Sequence, residues 1–366
     1  MKLTVDRESL LKPLQQAVGV VEKRQTLPVL SNLLLEAKGE RMDIIGTDLE
    51  VELSASMNLE APLEGQVTLP ARKLVDICRS LPEGAQIGLE VDGRKAVLKS
   101  GRSRFSLATL AADEFPKVDD IGSVTEIVVN QADFKRMLER THFAMAIQDV
   151  RYYLNGMLLE IDRDHLRAVA TDGHRLAMCT VPGTHSVDER QQVIVPRKAV
   201  QELMRLMETS DEEIVLQLGS NHVRARLGNV QFTSKIIDGR FPDYDRVVPQ
   251  GGGRVMTANR ESLRQALSRT SILSNEKYRG VRLALAADLL SVQAHNPDQE
   301  EAEDELEVEY SGEEFEIGFN VNYLLDALGV MEAESVQVAF SDANSSALIS
   351  GDDDTGCRNV VMPMRL

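Results

Sequence analysis

The chain has 366 residues, no tryptophan and only 4 % aromatic residues, and its length predicts two or three domains because a single core rarely exceeds about 250–300 residues. A net charge of −17 argues against phosphate binding if the charge is evenly distributed. Three cysteines far apart in sequence (Cys78, Cys179 and Cys357) exclude a disulfide framework, and with a charged start and no long apolar run they predict a cytoplasmic protein without a signal peptide or membrane span.

Amphipathic helices recur along the chain in a faint threefold repeat with a period of about 125 residues. In chain order, the six predicted helices cover residues 7–20, 71–81, 131–143, 197–208, 260–270 and 321–331. The first, third and fifth helices are each followed by a strand, a turn and two further strands. The second and fourth follow a strand that ends at Pro70 or Pro196, 126 residues apart, and the sixth follows a degenerate copy of that strand.

This repeat predicts an α+β chain of three tandem domains of one fold, each with two helices and about eight strands. The expected boundaries divide the chain into residues 1–122, 123–251 and 252–366. The three glycines Gly251, Gly252 and Gly253 are typical of a linker at the second boundary.

The charge is unevenly distributed over these elements. The six predicted helices sum to about +6, which leaves about −23 for the rest of the chain, and five of the six are individually positive. A shared basic face on the helices could follow phosphates without reading base sequence. The alternative is that lysine and arginine occupy ordinary solvated helix faces.

Two blocks of opposite charge lie in the first and third repeats. Residues 94–104 hold five basic residues and no acid, whereas residues 298–309 hold eight acids and no base. Such edges can associate head to tail between two copies, and apolar neighbours would fill the centre of the contact. A solvated acidic hairpin or loose cation binding is the alternative. The candidate dimer-interface residues are Lys73, Arg102, Arg104, Phe105, Leu107, Ile272, Leu273, Glu300, Glu301, Glu303 and Asp304.

Four longer strings carry a resemblance to a known family. They are DVRYYLNG at 149–156, TDGHRL at 171–176, DGRFPDY at 238–244 and VVMPMRL at 360–366. In these strings the chain closely resembles the bacterial β sliding clamps, the processivity subunits of DNA polymerase III. The resemblance implies three processivity-fold domains and a head-to-tail homodimeric ring around duplex DNA. It also implies that the polymerase, the clamp loader, and mismatch-repair and ligase-type proteins bind through short apolar peptides.

The resemblance further implies which residues form each site. The peptide-binding groove would comprise Leu154, Thr171, Gly173, His174, Arg175, Leu176, Pro242, Arg246, Val247, Asn320, Tyr323, Ser346, Val360, Val361, Met362, Pro363, Met364 and Arg365. The DNA-binding positions would be Arg24, Arg72, Gln148, Tyr152 and Tyr153, to which the basic helix pattern adds Lys198. Asp245 beside the groove and Ile147 near the DNA-binding loop depart from the family pattern.

Two other classes of protein remain as alternatives, a monomeric acidic adaptor that binds peptides and a hydrolase. His174 beside Asp172 suggests acid–base chemistry, but a turn role for Asp172 and Gly173 explains the same residues. Phosphate-loop and metal-ligand patterns are missing from the sequence, so it predicts a protein that is not an enzyme and needs no cofactor or metal.

Overall fold

The computed structural model describes residues 1–22, 27–60, 62–118, 121–122, 125–249, 253–352 and 356–365. Arg24, predicted to contact DNA, and Gly251 and Gly252, predicted to be linker residues, therefore lie outside the described residues.

All six predicted helices are confirmed, each within a few residues of its expected ends. They are α1 Arg7–Ala17, α2 Ala71–Ser80, α3 Gln131–Glu139, α4 Arg197–Leu206, α5 Arg260–Thr270 and α6 Val321–Gly329. The first is shorter than predicted because Val18–Val20 tightens into a 3₁₀ turn. In α1, Leu10, Leu14 and Ala17 are buried at helical spacing. Among the described residues, no helix is long and apolar enough to cross a membrane.

The described residues also contain twenty-four strands, eight for each repeat, which confirms the predicted α+β fold class. The first repeat supplies β1 Lys2–Asp6, β2 Asn32–Lys38, β3 Arg41–Thr47, β4 Val51–Asn58, β5 Gly65–Pro70, β6 Gln86–Asp92, β7 Lys95–Ser100 and β8 Ser103–Ala108. The second supplies β9 Thr125–Asn130, β10 Gly156–Ile161, β11 His165–Thr171, β12 Arg175–Pro182, β13 Gln191–Pro196, β14 Glu213–Leu218, β15 His222–Leu227 and β16 Val230–Lys235. The third supplies β17 Arg254–Asn259, β18 Gly280–Ala286, β19 Leu289–His295, β20 Glu301–Glu307, β21 Phe315–Asn320, β22 Ser335–Phe340, β23 Ala347–Gly351 and β24 Cys357–Val361.

The strands form antiparallel sheets within two compact units of the chain. Unit one comprises Met1–Ala132 and Gln201–Ile236, and unit two comprises Asp133–Val200 and Ile237–Leu366. In unit one the sheet orders are β1-β6-β7-β8 and β5-β2-β3-β4-β16-β15-β14-β9. In unit two they are β20-β19-β18-β21 and β13-β10-β11-β12-β24-β23-β22-β17. Each unit therefore has one four-stranded and one eight-stranded sheet.

Each eight-stranded sheet is two four-stranded halves joined by one strand pair. We call β4–β16 in unit one the first seam and β12–β24 in unit two the second seam. In both seams, the eighth strand of one repeat pairs antiparallel with the fourth strand of the repeat before it. The remaining eighth and fourth strands, β8 and β20, each lie at one edge of a four-stranded sheet, and we call these two the outer strands.

The prediction that the cysteines do not pair was wrong. Cys179 on β12 and Cys357 on β24 are directly opposite each other in the second seam, their Cα atoms are 4.0 Å apart, and they form a disulfide. A sequence separation of 178 residues hid this pair, because only the pairing of strands from different repeats brings the two together. The third cysteine, Cys78, is a buried free thiol.

Candidate functional site

The turn between β11 and β12 presents the TDGHRL string. The Asp172 carboxylate accepts hydrogen bonds from the backbone N–H groups of His174 (2.9 Å) and Arg175 (3.0 Å), and the Thr171 hydroxyl donates to the Arg175 carbonyl (2.6 Å). Gly173 has φ +89°, a left-handed conformation that favours glycine. Asp172 and Gly173 thus form the turn, as predicted from the sequence, and the turn leaves His174 exposed and the Arg175 side chain largely buried.

Arg175 is the polar centre of the site. Its guanidinium donates to the Asp172 carboxylate (3.1 Å), the Asp326 carboxylate (2.5 Å) and the Phe143 carbonyl (2.9 Å). It also lies over the Tyr323 ring, 4.7 Å from the centroid, and the His174 ring stacks on the same tyrosine with centroids 6.2 Å apart. Burial, and next the Asp172 carboxylate, raise the pKa of Tyr323, so the phenol stays neutral and the aromatic wall keeps its shape at physiological pH.

The end of the chain forms a second side of the site. Within the second seam, Val360 is opposite Leu176 and Val361 is opposite Arg175. Beyond β24, the Met362 N–H donates to the His174 carbonyl and the Met364 N–H donates to the Gly318 carbonyl, both at 2.9 Å. Both valines are buried, Met362 to Met364 are half-buried, and Arg365 is exposed. The extended terminus is thereby held with its methionine side chains partly open to solvent.

An apolar cluster adjoins this terminus. Among its buried members are Leu176, Val360, Phe241 and Tyr244, and the partly buried Val247 packs against them. These contacts bring together predicted groove residues from three separate stretches of the chain. The flexible, polarisable methionines beside the cluster suit a surface that accepts short apolar segments.

Other predicted groove residues surround this centre. Asn320 caps α6 by accepting from the Asn322 N–H (2.9 Å) and donates to the Tyr278 carbonyl (3.2 Å). Leu154 is 2 % exposed, which makes it a core residue. The remaining predicted positions are more open, namely Pro242, Arg246, Ser346 and Pro363.

Sequence reasoning missed a buried polar network behind the apolar cluster. The Tyr244 hydroxyl donates to the Glu160 carboxylate (2.8 Å), which also accepts from Gln192 (2.7 Å) and Arg190. Burial works to raise the pKa of Glu160, but hydrogen bonds from Gln192, Arg190 and Tyr244 outweigh it and hold the pKa below its ordinary value. The DGRFPDY string contained Tyr244, but nothing in the sequence marked Glu160 as its partner.

The loop before β10 carries the predicted DNA-binding residues of unit two. Gln148 has φ +55°, Tyr152 is 58 % exposed, and its ring meets that of Tyr153 edge-on at 5.8 Å. Arg151 braces the loop through the Asp149 carboxylate (2.8 and 3.0 Å) and the Asp172 carbonyl (3.1 Å). Hydrogen bonds from Arg151 lower the pKa of Asp149 to about 2. The loop is held in place while its polar and aromatic tips face solvent.

The other predicted DNA-binding residues lie on helices. In unit one, Arg72 near the start of α2 is exposed and donates to the Val21 carbonyl (3.2 Å). In unit two, Lys198 near the start of α4 is partly buried.

Most of the predicted interface residues lie on or beside the two outer strands, whereas Lys73 is exposed on α2. In unit one, Arg102 and Arg104 are exposed next to or on β8, with Phe105 partly buried and Leu107 buried. In unit two, β20 pairs with β19 on one side, and Ile272, 75 % exposed, lies near it. Two acidic residues of β20 already accept hydrogen bonds within unit two. Asp304 accepts from Arg269 (2.5 Å), and Glu303 accepts from Ser291 (2.8 Å).

Three repeats of two helices and eight strands, joined edge to edge, define a protein of the processivity-clamp class. Models of the DNA polymerase III beta subunit match the chain throughout, with the N-terminal domain at residues 1–119, the central domain at 128–243 and the C-terminal domain at 245–365. The chain therefore belongs to the DNA polymerase III beta subunit family, the beta sliding clamps.

Individual relatives agree with this assignment. The chain is 56 % identical to the beta sliding clamp of Pseudomonas putida and 52 % identical to that of Escherichia coli, with full coverage of both chains in each comparison. It is also similar to the crystal structure of the DNA polymerase sliding clamp from Pseudomonas aeruginosa with ligand, at a TM-score of 0.98 and 54 % identity over the whole of both chains.

Proposed function

We propose that the protein is a DNA sliding clamp that closes as a head-to-tail homodimer around duplex DNA and tethers polymerases and other proteins by their short peptides. Family membership supports the clamp function, and the seams carry the argument for ring closure. We further propose that the protein is not an enzyme and acts by topology and by binding.

The seams follow one rule, in which the eighth strand of a repeat pairs with the fourth strand of the preceding repeat. The outer strands β8 and β20 are the eighth strand of the first repeat and the fourth strand of the third. Pairing β8 of one copy with β20 of another obeys the same rule and can be repeated from copy to copy until the ring closes. A contact of this kind is heterologous, and two copies close it if the rotation permits.

The register of this third kind of seam follows from the first two. The fourth strands of the three repeats are β4, β12 and β20, and each contains one residue that pairs with the last residue of the strand before it. That residue is Glu52 in β4, Leu176 in β12 and Glu301 in β20, and the three strands are aligned on it. The eighth strands align by their first residues, which are Ser103, Val230 and Cys357. The shared register then sets Arg104 opposite Glu303 and Phe105 opposite Ala302.

A charge exchange tests this register. Arg104→Glu and Glu303→Arg should each place like charges opposite one another, which destabilises a strand pair. Each single variant should therefore elute nearer the 40.5 kDa of one chain in sizing with mass detection, whereas the double variant should return to twice that mass. Arg41→Glu, on an inner strand of unit one, serves as the matched charge control. Dimeric single variants, or a double variant that stays monomeric, would refute the register.

The groove is the proposed docking site for partner peptides. We assign to it the apolar cluster around Leu176 and Val360, the aromatic wall of His174 and Tyr323, and the partly open Met362 and Met364. An apolar peptide would bury its side chains on the cluster, while Arg175 and backbone groups of the terminus would orient it.

The sliding mechanism predicts how the protein leaves DNA. Weak phosphate contacts are sensitive to salt, whereas retention by a closed ring is not, so the two can be separated. The protein loaded on nicked circular DNA should remain bound in high salt and should be released when the DNA is made linear, as measured by gel filtration of the complexes. Equal loss from circular and linear DNA would contradict topological retention.

A further inference from the structure

The second seam contains a pair of cysteines at a position that needs none. Cys179 and Cys357 are opposite each other in the register, and both are at least nine-tenths buried. The equivalent position in the first seam is occupied by Ala55 and Val230. Two strands therefore pair at this position without sulfur, so cysteine is not a requirement of the seam.

The surroundings of the pair favour thiol chemistry. The Arg140 guanidinium, which also pairs with the Glu332 carboxylate at 3.0 Å, lies 3.6 Å from the Cys357 sulfur, and a cation at this distance stabilises a thiolate when the cysteine is reduced. Both cysteines line a surface pocket of about 450 Å³ together with the ion pairs Arg140–Glu332 and Arg136–Asp133. A pocket of this size admits a peroxide-sized molecule to the sulfur atoms.

The remaining cysteine provides an internal contrast. Burial raises the pKa of the Cys78 thiol to about 11, and its side chain is fully buried. Its thiolate is scarce at neutral pH, so Cys78 should be inert under conditions that oxidise the pair.

We propose that Cys179 and Cys357 are a reversible thiol–disulfide site, oxidised by a hydroperoxide and reduced by a dithiol, that fastens the terminal strand β24 to β12. In the first step the Cys357 thiolate attacks one peroxide oxygen. An S–O bond forms as the O–O bond breaks, and the released oxyanion takes up a proton to give an alcohol, or water from hydrogen peroxide.

In the second step the Cys179 thiol attacks the sulfenic sulfur of Cys357. The S–S bond forms as the S–O bond breaks, and the hydroxide leaves as water with the proton of Cys179. Two thiols are oxidised and one hydroperoxide is reduced. A dithiol reverses the step by exchange and is itself oxidised to a disulfide.

The cysteine pair lies where its oxidation would restrain β24 and the residues that follow it. The disulfide lies at one end of the paired region of the second seam, and Arg175 opposite Val361 lies at the other. Four residues of antiparallel strand separate the two ends, roughly 14 Å at about 3.4 Å per residue. Oxidation would restrain local opening of β24 and of the terminal residues beyond it. The significance for peptide docking rests on the proposed function, whereas the redox site and the fastening do not.

The redox site is tested by counting thiols in the full-length protein. The protein is reduced, freed of reductant, treated with hydrogen peroxide, denatured and alkylated with a maleimide for mass spectrometry. All three cysteines should label before treatment, and only Cys78 afterwards, with full recovery on addition of dithiothreitol. The matched control is Cys179→Ala with Cys357→Val, which copies the first seam and should label once in both states. Three labelled cysteines after peroxide, or loss of label that dithiothreitol does not restore, would overturn the site.

Hydrogen exchange tests the fastening without any peptide. Amide exchange in residues 357–365 should be at least about tenfold slower in the oxidised protein, because the cross-link raises the free energy of local opening. The Ala–Val variant should exchange at one rate with or without peroxide. Equal rates in oxidised and reduced protein would overturn the fastening. Peptide affinity of the reduced protein, measured separately, tests the proposed function, so the two failures are distinguishable.

Discussion

The two seams have nearly the same backbone structure, but we assign the peptide-binding groove to the second. At the first seam Thr47 and Asp48 make the same turn hydrogen bonds that Thr171 and Asp172 make at the second, and Leu49 adopts the left-handed φ of Gly173. The bond from the Lys235 N–H to the Glu50 carbonyl likewise has a counterpart in the bond from Met362 to His174. The scaffold at the corner of each seam is therefore nearly the same.

The difference lies in a few side chains and in the segment that comes after the eighth strand. His174 and Arg175 occupy the positions of Glu50 and Val51, so the second seam carries at this corner an imidazole ring and a guanidinium that engages carboxylates, where the first carries a carboxylate and a valine. After β24 the chain runs through Met362–Arg365, in which the methionine side chains are half-exposed. The difference teaches how the proposed groove can arise on a repeated scaffold from a few side chains and one short segment, without a new fold.

The largest effect on peptide binding is expected from a deletion in the segment that follows β24. Deleting Met364, Arg365 and Leu366 should weaken binding of a polymerase-derived peptide by at least about 100-fold, because a few central apolar residues carry most of an interface's energy. The dimer should remain intact, since its proposed strands lie elsewhere in the chain. Calorimetric titration measures the affinity, and sizing measures the dimer. Unchanged peptide affinity would rule out the assigned groove.

A smaller effect on peptide binding is expected from substituting the turn residue that differs between the seams, Gly173 in the second and Leu49 in the first. In Gly173→Ala, a Cβ would come within 2.9 Å of the Arg151 guanidinium at a strained φ, which should displace the turn and weaken peptide binding by about tenfold. Leu49→Gly, the matched change in the first seam, should leave peptide affinity unchanged. If both variants bind peptide like the unsubstituted protein, the turn geometry does not shape the groove.

The smallest effect concerns the polar network behind the apolar cluster. Glu160→Gln should lower the free energy of unfolding by about 1 kcal/mol at neutral pH, the order of one ordinary hydrogen bond, because glutamine keeps an acceptor oxygen but loses the charge. Because the folded pKa of Glu160 is lowered from its ordinary 4.5, its contribution is present above that pH and is lost as the pH falls through the folded value. Calorimetric melting at several pH values should show the two proteins converging as the pH falls through the lowered folded pKa of Glu160. A gap that widens in acid would contradict the lowered pKa.

Periodicity in the sequence was enough to predict the helices and the strand count. The sixth helix was found although its repeat had lost the basic pair, because strand-then-helix patterning survives changes of charge. The helix ends were predicted less well, most of all for α1, which stops before the tighter turn Val18–Val20, and for α3, which ends at Glu139 and not at residue 143.

Contacts between residues far apart in the chain were not predictable in the same way. The Cys179–Cys357 pair and the Glu160–Tyr244 bond both depend on which strands and loops become neighbours, and a single sequence shows no local signal for that. The groove residues came from family resemblance, whereas the turn role of Asp172 came from its chemistry alone. Local sequence patterns thus predict the helices and strands, whereas the pairing of distant strands determines which residues meet at the candidate site.

The alternation along β20 has a further consequence for self-recognition. Glu301, Glu303, Glu305 and Glu307 are exposed at every second position, so two β20 strands would meet with glutamates facing glutamates. Arg104 on β8 and the adjacent Arg102 would likewise come close to their own copies if two β8 strands paired. An open strand edge is a template for promiscuous pairing and aggregation, and in the proposed dimer each edge would repel its own copy and attract the opposite edge. The same charges that attract the proper partner thus guard the unassembled chain against fibre-like stacking.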